Sequence, residues 1–435
     1  MTSLLEEDGV PCVAVHTHVF HRVATSTARL RGIPTLRQAF VPQPVVGRTP
    51  GELRGYIEGA DRISGRPFMQ EVLEGLSRPL DDADLTGATF ERTTPRLVAP
   101  DTEENLRALF LENRWTDFLP IVLPTEARVA AMLKGTSQPP DTVVGRMRAG
   151  NFREAWEYTV EKVAVNAVMA GAKPEYFPVI LALAASGQTS RQGSTTSMTC
   201  LSVVNGPVRH EIGMNCGIGA MGPYNHANTT IGRAFSLASQ NGQGGSVPGE
   251  TYMGALGNPM AYSLVFAENE ERSPWEPLHV QKGMKPTDSA VSVFVGLRYV
   301  QDGFGPRDTW EEKMRRCLAA SAYLPPTLVM DPIVARLFAA KGIHTKQQLI
   351  DWCAANARIP AREYWDDQWV QTLIHPLAVA GVEPFATRLK AAPDEIVDMH
   401  EASDINVVVA GGETQGAWKI FGANLAKTVS VDAWR

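Results

Sequence analysis

The chain has 435 residues, 44% hydrophobic and 20% charged, which is the composition of a folded globular protein and not of a disordered one. A formal net charge of −6, with no Lys/Arg run, gives no general attraction to phosphate backbones and argues against a nucleic-acid partner. Five cysteines (Cys12, Cys200, Cys216, Cys317 and Cys353) form no C-x-x-C pair, which argues against a disulfide framework or zinc ribbon and fits a reducing, cytoplasmic setting.

Residues 1–9 are acidic and lack the basic flank and apolar run of a signal peptide. The longest apolar stretch, Phe177–Ala185, is far short of the roughly 20 residues that span a bilayer, so no membrane partner is expected. The length predicts two or three domains in an α/β fold of parallel or mixed sheets with flanking helices. The divisions read as an N-terminal α/β domain over 1–92, a helical or linker segment over 93–150 and a C-terminal α/β core domain over 151–435 that carries the site.

In chain order, residues 10–16 read as a buried strand, 19–30 as a helix ended by Gly32-Ile33-Pro34, and 39–41 as a second strand. That β-α-β unit implies parallel pairing, with the strand ends as a binding edge. Helices are predicted over 103–113, 124–133, 152–170 and 174–185, the last opened by Pro174. From 186 to 259 Gly, Ser, Thr and Asn dominate, interrupted by a strand at 200–204 and a helix at 229–240. Strands follow at 262–267 and 290–295; the last third reads as helical up to a β-branched strand at 405–410.

The chemistry is expected in the segment 186–279. Gly217-Ile-Gly-Ala-Met-Gly222 matches G-x-G-x-x-G, but no buried strand precedes it and Pro223 follows at once, so a tight turn is the better reading. An anion-binding loop fits better. Asn215, Gly217 and Gly219 would shape it, Asn228 would cap a helix opening at Thr229, and Arg233 on the first turns would pair with the bound anion. Asn228 as a plain cap and Arg233 in a structural ion pair remain equally open.

Cys216 in this loop is a candidate nucleophile, since a thiol near a helix N-terminus has a lowered pKa; a small buried hydrophobe is the competing reading. Glu268 and Glu270 alternate after a strand and could split into acid and base, with His279 downstream, although strand-end glutamates are often merely solvated. His16, His18 and His21 could converge on zinc or be hydrogen-bonded structure. No other cofactor is predicted, and G-x-S-x-G, P-loop and H-E-x-x-H motifs are missing.

The stretch Trp115-Thr-Asp-Phe-Leu-Pro-Ile-Val-Leu-Pro-Thr-Glu126, then Arg128-Val-Ala-Ala-Met-Leu133, resembles the UGSC-type (seleno)protein family. So do Lys162-Val-Ala-Val-Asn-Ala-Val-Met-Ala-Gly171, Pro174-Glu-Tyr-Phe-Pro-Val179, Asn205-Gly-Pro207, the 215–222 loop, residues 228–234 and the run from Ala267-Glu-Asn-Glu270 to His279. The first 45 residues are similar to the segment that follows the redox motif in that family, itself similar to part of the glycine reductase selenoprotein subunit. The family is named for a U-G-S-C or C-G-S-C motif. This chain has none and is expected to begin beyond it, and Phe118 and Ala172 stand where glycine and cysteine are expected. The resemblance adds Asn166 and Asn205 to the substrate-binding set and implies no settled reaction.

These readings predict an enzyme acting on a small anionic or polar organic substrate, a cofactor-free lyase or hydrolase in first place. A thiol-dependent oxidoreductase, or a non-catalytic small-molecule-binding or partner subunit of a multi-enzyme complex, are the alternatives. A homodimer is expected, symmetric pairs being the commonest assembly.

Overall fold

The computed structural model describes residues 2–80, 82, 84, 95–148, 155–190, 199–243, 247–249, 252–254, 257, 262–307, 309–321 and 323–435. The expected divisions at 92/93 and 150/151, the start of the helix expected from 152 and parts of the Gly-rich stretch lie outside the described residues.

Near the N-terminus, β1 (Ala14–Thr17) and β2 (Gln38–Val41) pair in parallel and are joined by the helix His21–Leu30, the expected β-α-β unit. Further on, β3 (Val143–Arg148) and β4 (Ala155–Thr159) form an antiparallel pair. The helix expected from 152 therefore opens only at Val160. Trp156 and Tyr158 favour a strand, and the Thr159 hydroxyl caps the following helix, Val160–Met169, by accepting from the Lys162 N–H.

The main sheet is mixed, as expected for this α/β chain. Its strands are β5 (Thr199–Asn205), β6 (Leu264–Ala267), β7 (Ala290–Gly303), β8 (Pro326–Met330), β11 (Asn406–Val409) and β12 (Ala417–Ser430), in the order β11-β8-β12-β7-β5-β6. The short strands β9 (Arg358–Pro360) and β10 (Ile396–Asp398) pair separately. β8, β9 and β10 break the stretch expected to be helical up to residue 405, and β12 adds a further strand beyond it.

One strand plan occurs twice. β5 pairs in parallel with β6 and antiparallel with β7; β8 pairs in parallel with β11 and antiparallel with β12; β7 and β12 then join the halves. The registers correspond: Val204 faces Ala267 and Val291, and Met330 faces Val409 and Trp418. Even the first residue past each parallel pair matches, because Glu268 N donates to Val204 O (3.1 Å) as Ala410 N donates to Met330 O (2.9 Å).

The sheet is curled. Irregularities between Gly422 and Ala423 and between Leu425 and Lys427 bend the long β7–β12 pair. Opposite the first, Gly296 sits at φ 145°, where a Cβ would lie 2.5 Å from Gly422 O. The concave face holds its own core of Leu201, Val203, Phe266, Phe294, Val329, Val408 and Phe421. On the convex side, Val160–Met169, Phe177–Ala185 and His226–Gln243 cover the first half, while Trp310–Ala319, Pro332–Ala340 and Lys346–Asn356 cover the second. Ile121, Leu123, Val129 and Met132 join the first of these cores, so this part of the segment expected to be helical or a linker is packed structure. Among the described residues no helix is long and apolar enough to cross a membrane.

Candidate functional site

Curling brings the two edge strands together at their C-terminal ends. Asn269 N donates to Val409 O at 2.7 Å, and Asn269 Nδ2 donates to Gly411 O at 3.0 Å. Glu268 lies in this seam with no solvent exposure. Its Oε1 takes the Lys346 ammonium at 2.6 Å and the Val409 N–H at 3.3 Å; its Oε2 takes Asn205 Nδ2 and the Leu278 N–H, each at 2.7 Å. Lys346 is equally buried, at the start of its helix. Four donors on two oxygens occupy Glu268 fully, so the geometry gives this carboxylate a positioning part and not the free-base part expected from the alternation.

Asn205 links this pair to a second charged group. Its Nδ2 also donates to Glu270 Oε1 at 2.9 Å, where the Gly206 N–H adds a bond at 2.8 Å. Arg209 binds Glu270 Oε2 (3.0 Å) and Glu271 Oε1 (2.9 Å), and donates to the Gly206 and Glu268 carbonyls at 2.9 and 2.7 Å. Burial opposes the Arg209 charge, and Glu271 and Glu270 outweigh it. In return Arg209, against the opposing effect of burial, draws Glu271 down to about 2, with help from His210.

Cys216 borders this cluster, half-buried, and its carbonyl accepts from Gly411 N at 2.8 Å. Burial pushes its thiol above the ordinary range; Arg209 pulls it back, and the Glu271 and Glu270 carboxylates push it further up. The lowered pKa expected of a helix N-terminus is thus reversed. The helix opens at His226, ten residues further on, and carboxylates stand near the thiol instead.

The loop around Cys216 is held by three asparagines. Asn228 exchanges bonds with the Asn215 backbone (3.1 and 2.8 Å) and donates to Ala220 O (3.0 Å). Asn225 donates to Gly219 O and Gly222 O, and Asn215 Oδ1 accepts from Gly217 N. Asn228 is therefore not the expected cap, because the helix starts two residues before it and its amide is spent on the loop. Gly217 and Gly219 build the tight turns read from the motif, Gly219 at φ 70°. Gly412 packs onto this loop: a Cβ there would lie 2.1 Å from Ile218 Cγ1.

The other expected residues lie apart from the cluster. Arg233 forms a two-bond ion pair with Asp117 at 2.9 Å and also binds Pro120 O, the structural alternative to anion pairing. Asn166 bonds Lys162 O and Asn241 within helical packing. Thr229 is exposed and lines a cleft of 390 Å³ with Asn228. His279 is fully buried, and neither ring nitrogen has a partner among the described residues; Asn205 Oδ1 is in the same condition. His16 and His21 each pack on Phe40, with ring centroids 6.0 and 5.1 Å apart. Among the described residues these two and His18 form no metal-binding group.

Sequence reasoning missed Arg209, Lys346 and Asn269. Arg209 and Lys346 stand at the starts of helices, where a basic residue reads as solvated, and only the curl of the sheet brings Lys346 to Glu268, 78 positions away.

No curated protein matches the chain. The family match does not extend to the 100–300 stretch, which carries the longest of the resemblances given above. Residues 3–62, which hold the N-terminal β-α-β unit and the helix Pro50–Glu58 after it, match the UGSC family.

Proposed function

We propose that the chain is an enzyme acting on a small anionic or polar organic substrate where the ends of β5, β6 and β11 meet, by acid–base chemistry of the lyase or hydrolase kind. One observation carries this reading. The Glu268–Lys346 pair is wholly shielded from solvent and is joined through Asn205 to Glu270 and Arg209. Burying two charges costs several kcal/mol per ion, roughly offset at best by their attraction, so such a cluster at a strand-end seam is better explained by chemistry than by stability.

The parts divide by what each group has left to offer. Cys216, kept protonated by burial and by the nearby carboxylates, serves as the proton donor. Glu270, whose Oε2 meets Arg209 alone among the described residues, serves as the acceptor. Glu268, Lys346 and Asn205 hold Glu270 and the seam in place. A protonated thiol works against the thiol-dependent oxidoreductase alternative, which requires the thiolate. The sequence offers no nucleotide loop or redox motif, which favours chemistry without a cofactor, and we read the setting as cytoplasmic from the five unpaired thiols.

The test is turnover of a panel of small hydroxy-, keto- and amino-acids, followed by NMR, in the wild type and in Cys216→Ser and Glu270→Gln. Loss of turnover in both variants at unchanged melting temperature supports the assignment. Full turnover in both removes it.

A further inference from the structure

The cleft beside the Cys216 loop shares no lining residue with the charged cluster, and its chemistry is different. Its volume is 390 Å³, and its walls include Tyr262, Leu264, Tyr299 and Phe421 with Thr229 at one side. Among the described residues lining it, Lys419 is the sole charged side chain. The strand explains its position. Phe421 and Ala423 point into the concave core, and Lys419, two residues earlier on β12, faces the same way opposite Val329. A lysine thus stands in a row of apolar side chains.

Lys419 is half-buried, and among the described residues it makes no ion pair; its ammonium lies 5.5 Å from the centre of the Tyr299 ring. A cation partly withdrawn from water, with only an aromatic face against it, gains most from an anion brought to it. The exposed Tyr299 ring, backed by the buried Phe421 ring 5.8 Å away and tilted by 35° to it, offers an apolar face next to that charge. The remaining polar walls are mostly spent: Asn228 holds the loop, and Ser263 is bonded to Ser190 and Ser236.

We propose that this cleft binds a small planar carboxylate, an aromatic acid in its simplest form, with the carboxylate on Lys419 and the ring against Tyr299. The proposal does not depend on the reading of Cys216 and Glu270. The cleft is of a size that encloses a ligand of this class, with apolar walls and one orienting charge, the usual make-up of a small-molecule site.

The experiment is isothermal titration with benzoate, and with neutral benzamide and acetate as controls. Benzoate is expected to bind the wild type, with benzamide and acetate each weaker by at least about tenfold. Lys419→Met is expected to abolish benzoate binding, Lys419→Arg to retain it and Tyr299→Ala to weaken it, while Cys216→Ser leaves it unchanged. Thermal unfolding of each variant separates lost binding from lost fold. No benzoate binding to the wild type, equal binding of benzamide or acetate, or unchanged binding in folded Lys419→Met would each overturn the assignment.

Discussion

The Lys346 ammonium lies 2.6 Å from Glu268 Oε1, and solvent reaches neither side chain. The pair fastens the helix Lys346–Asn356 to the C-terminal end of β6, across the gap between the two edges of the sheet. Removing one partner leaves the other charge buried and alone. Lys346→Met is expected to lose about 3–5 kcal/mol of stability in urea unfolding. Lys346→Met combined with Glu268→Leu should recover part of that loss, since no lone charge is left behind. A single variant as stable as the wild type would refute the closing part given to this pair.

Alkylation of Cys216 reports the electrostatics of its loop. With the thiol above its usual value of 9.0, iodoacetamide modification, mapped by mass, should stay slow at neutral pH and rise only above pH 9. Glu271→Gln removes one of the charges that push the thiol up and frees Arg209 to pull it down, so the profile should move to lower pH. A profile already on its plateau at pH 7 would point back to thiolate chemistry.

His400 gives the fold an acid limit. Burial lowers its pKa from 6.5 to about 4, and its Nε2 is bonded to Ser321 O at 2.6 Å. The folded state resists protonation that the unfolded chain accepts. Its contribution is therefore complete above pH 6.5 and is lost as pH falls toward 4, by about 3 kcal/mol over the whole interval. His400→Gln should flatten the slope of unfolding free energy against pH in that window; an unchanged slope would assign the acid limit to other groups.

Gly412 tests the contact between the two loops at the seam. An alanine methyl would meet Ile218 Cγ1 at 2.1 Å and the Ile218 backbone at 3.0 Å. Gly412→Ala should displace the Cys216 loop and destabilise the fold by about 1–3 kcal/mol. Adding Ile218→Ala should restore only part of this, because the backbone contacts persist. Complete restoration would show that the side chain alone sets the contact.

The sequence was most legible where order is local. The β1–β2 unit, the helix Phe177–Ala185 and strands β5, β6, β7 and β11 follow from apolar runs bounded by turn residues. β8 was hidden because five buried residues, opening on the second of two prolines, are too short to show a period. β12 was hidden because its outer end is half-exposed and interrupted by the Gly422 irregularity. Glu268, Glu270 and Cys216 could be singled out from residue type and spacing. Their partners could not, because Arg209 and Lys346 reach them only through the curl of the sheet. Asn228 misled for a related reason: the same amide can cap a helix or tie a loop, and only the partner distinguishes the two.

The doubled strand plan also explains why the seam holds a single buried acid. Ala410 occupies in the second half the place that Glu268 takes in the first, and Val409, one residue before it, already donates its N–H to the Glu268 carboxylate. A glutamate at both places would set two anions against each other in a space that water does not enter, with Lys346 available to one of them. Electrostatics therefore breaks the symmetry that the backbone would allow: one copy of the motif carries the charge, and the other supplies the wall against which it is held.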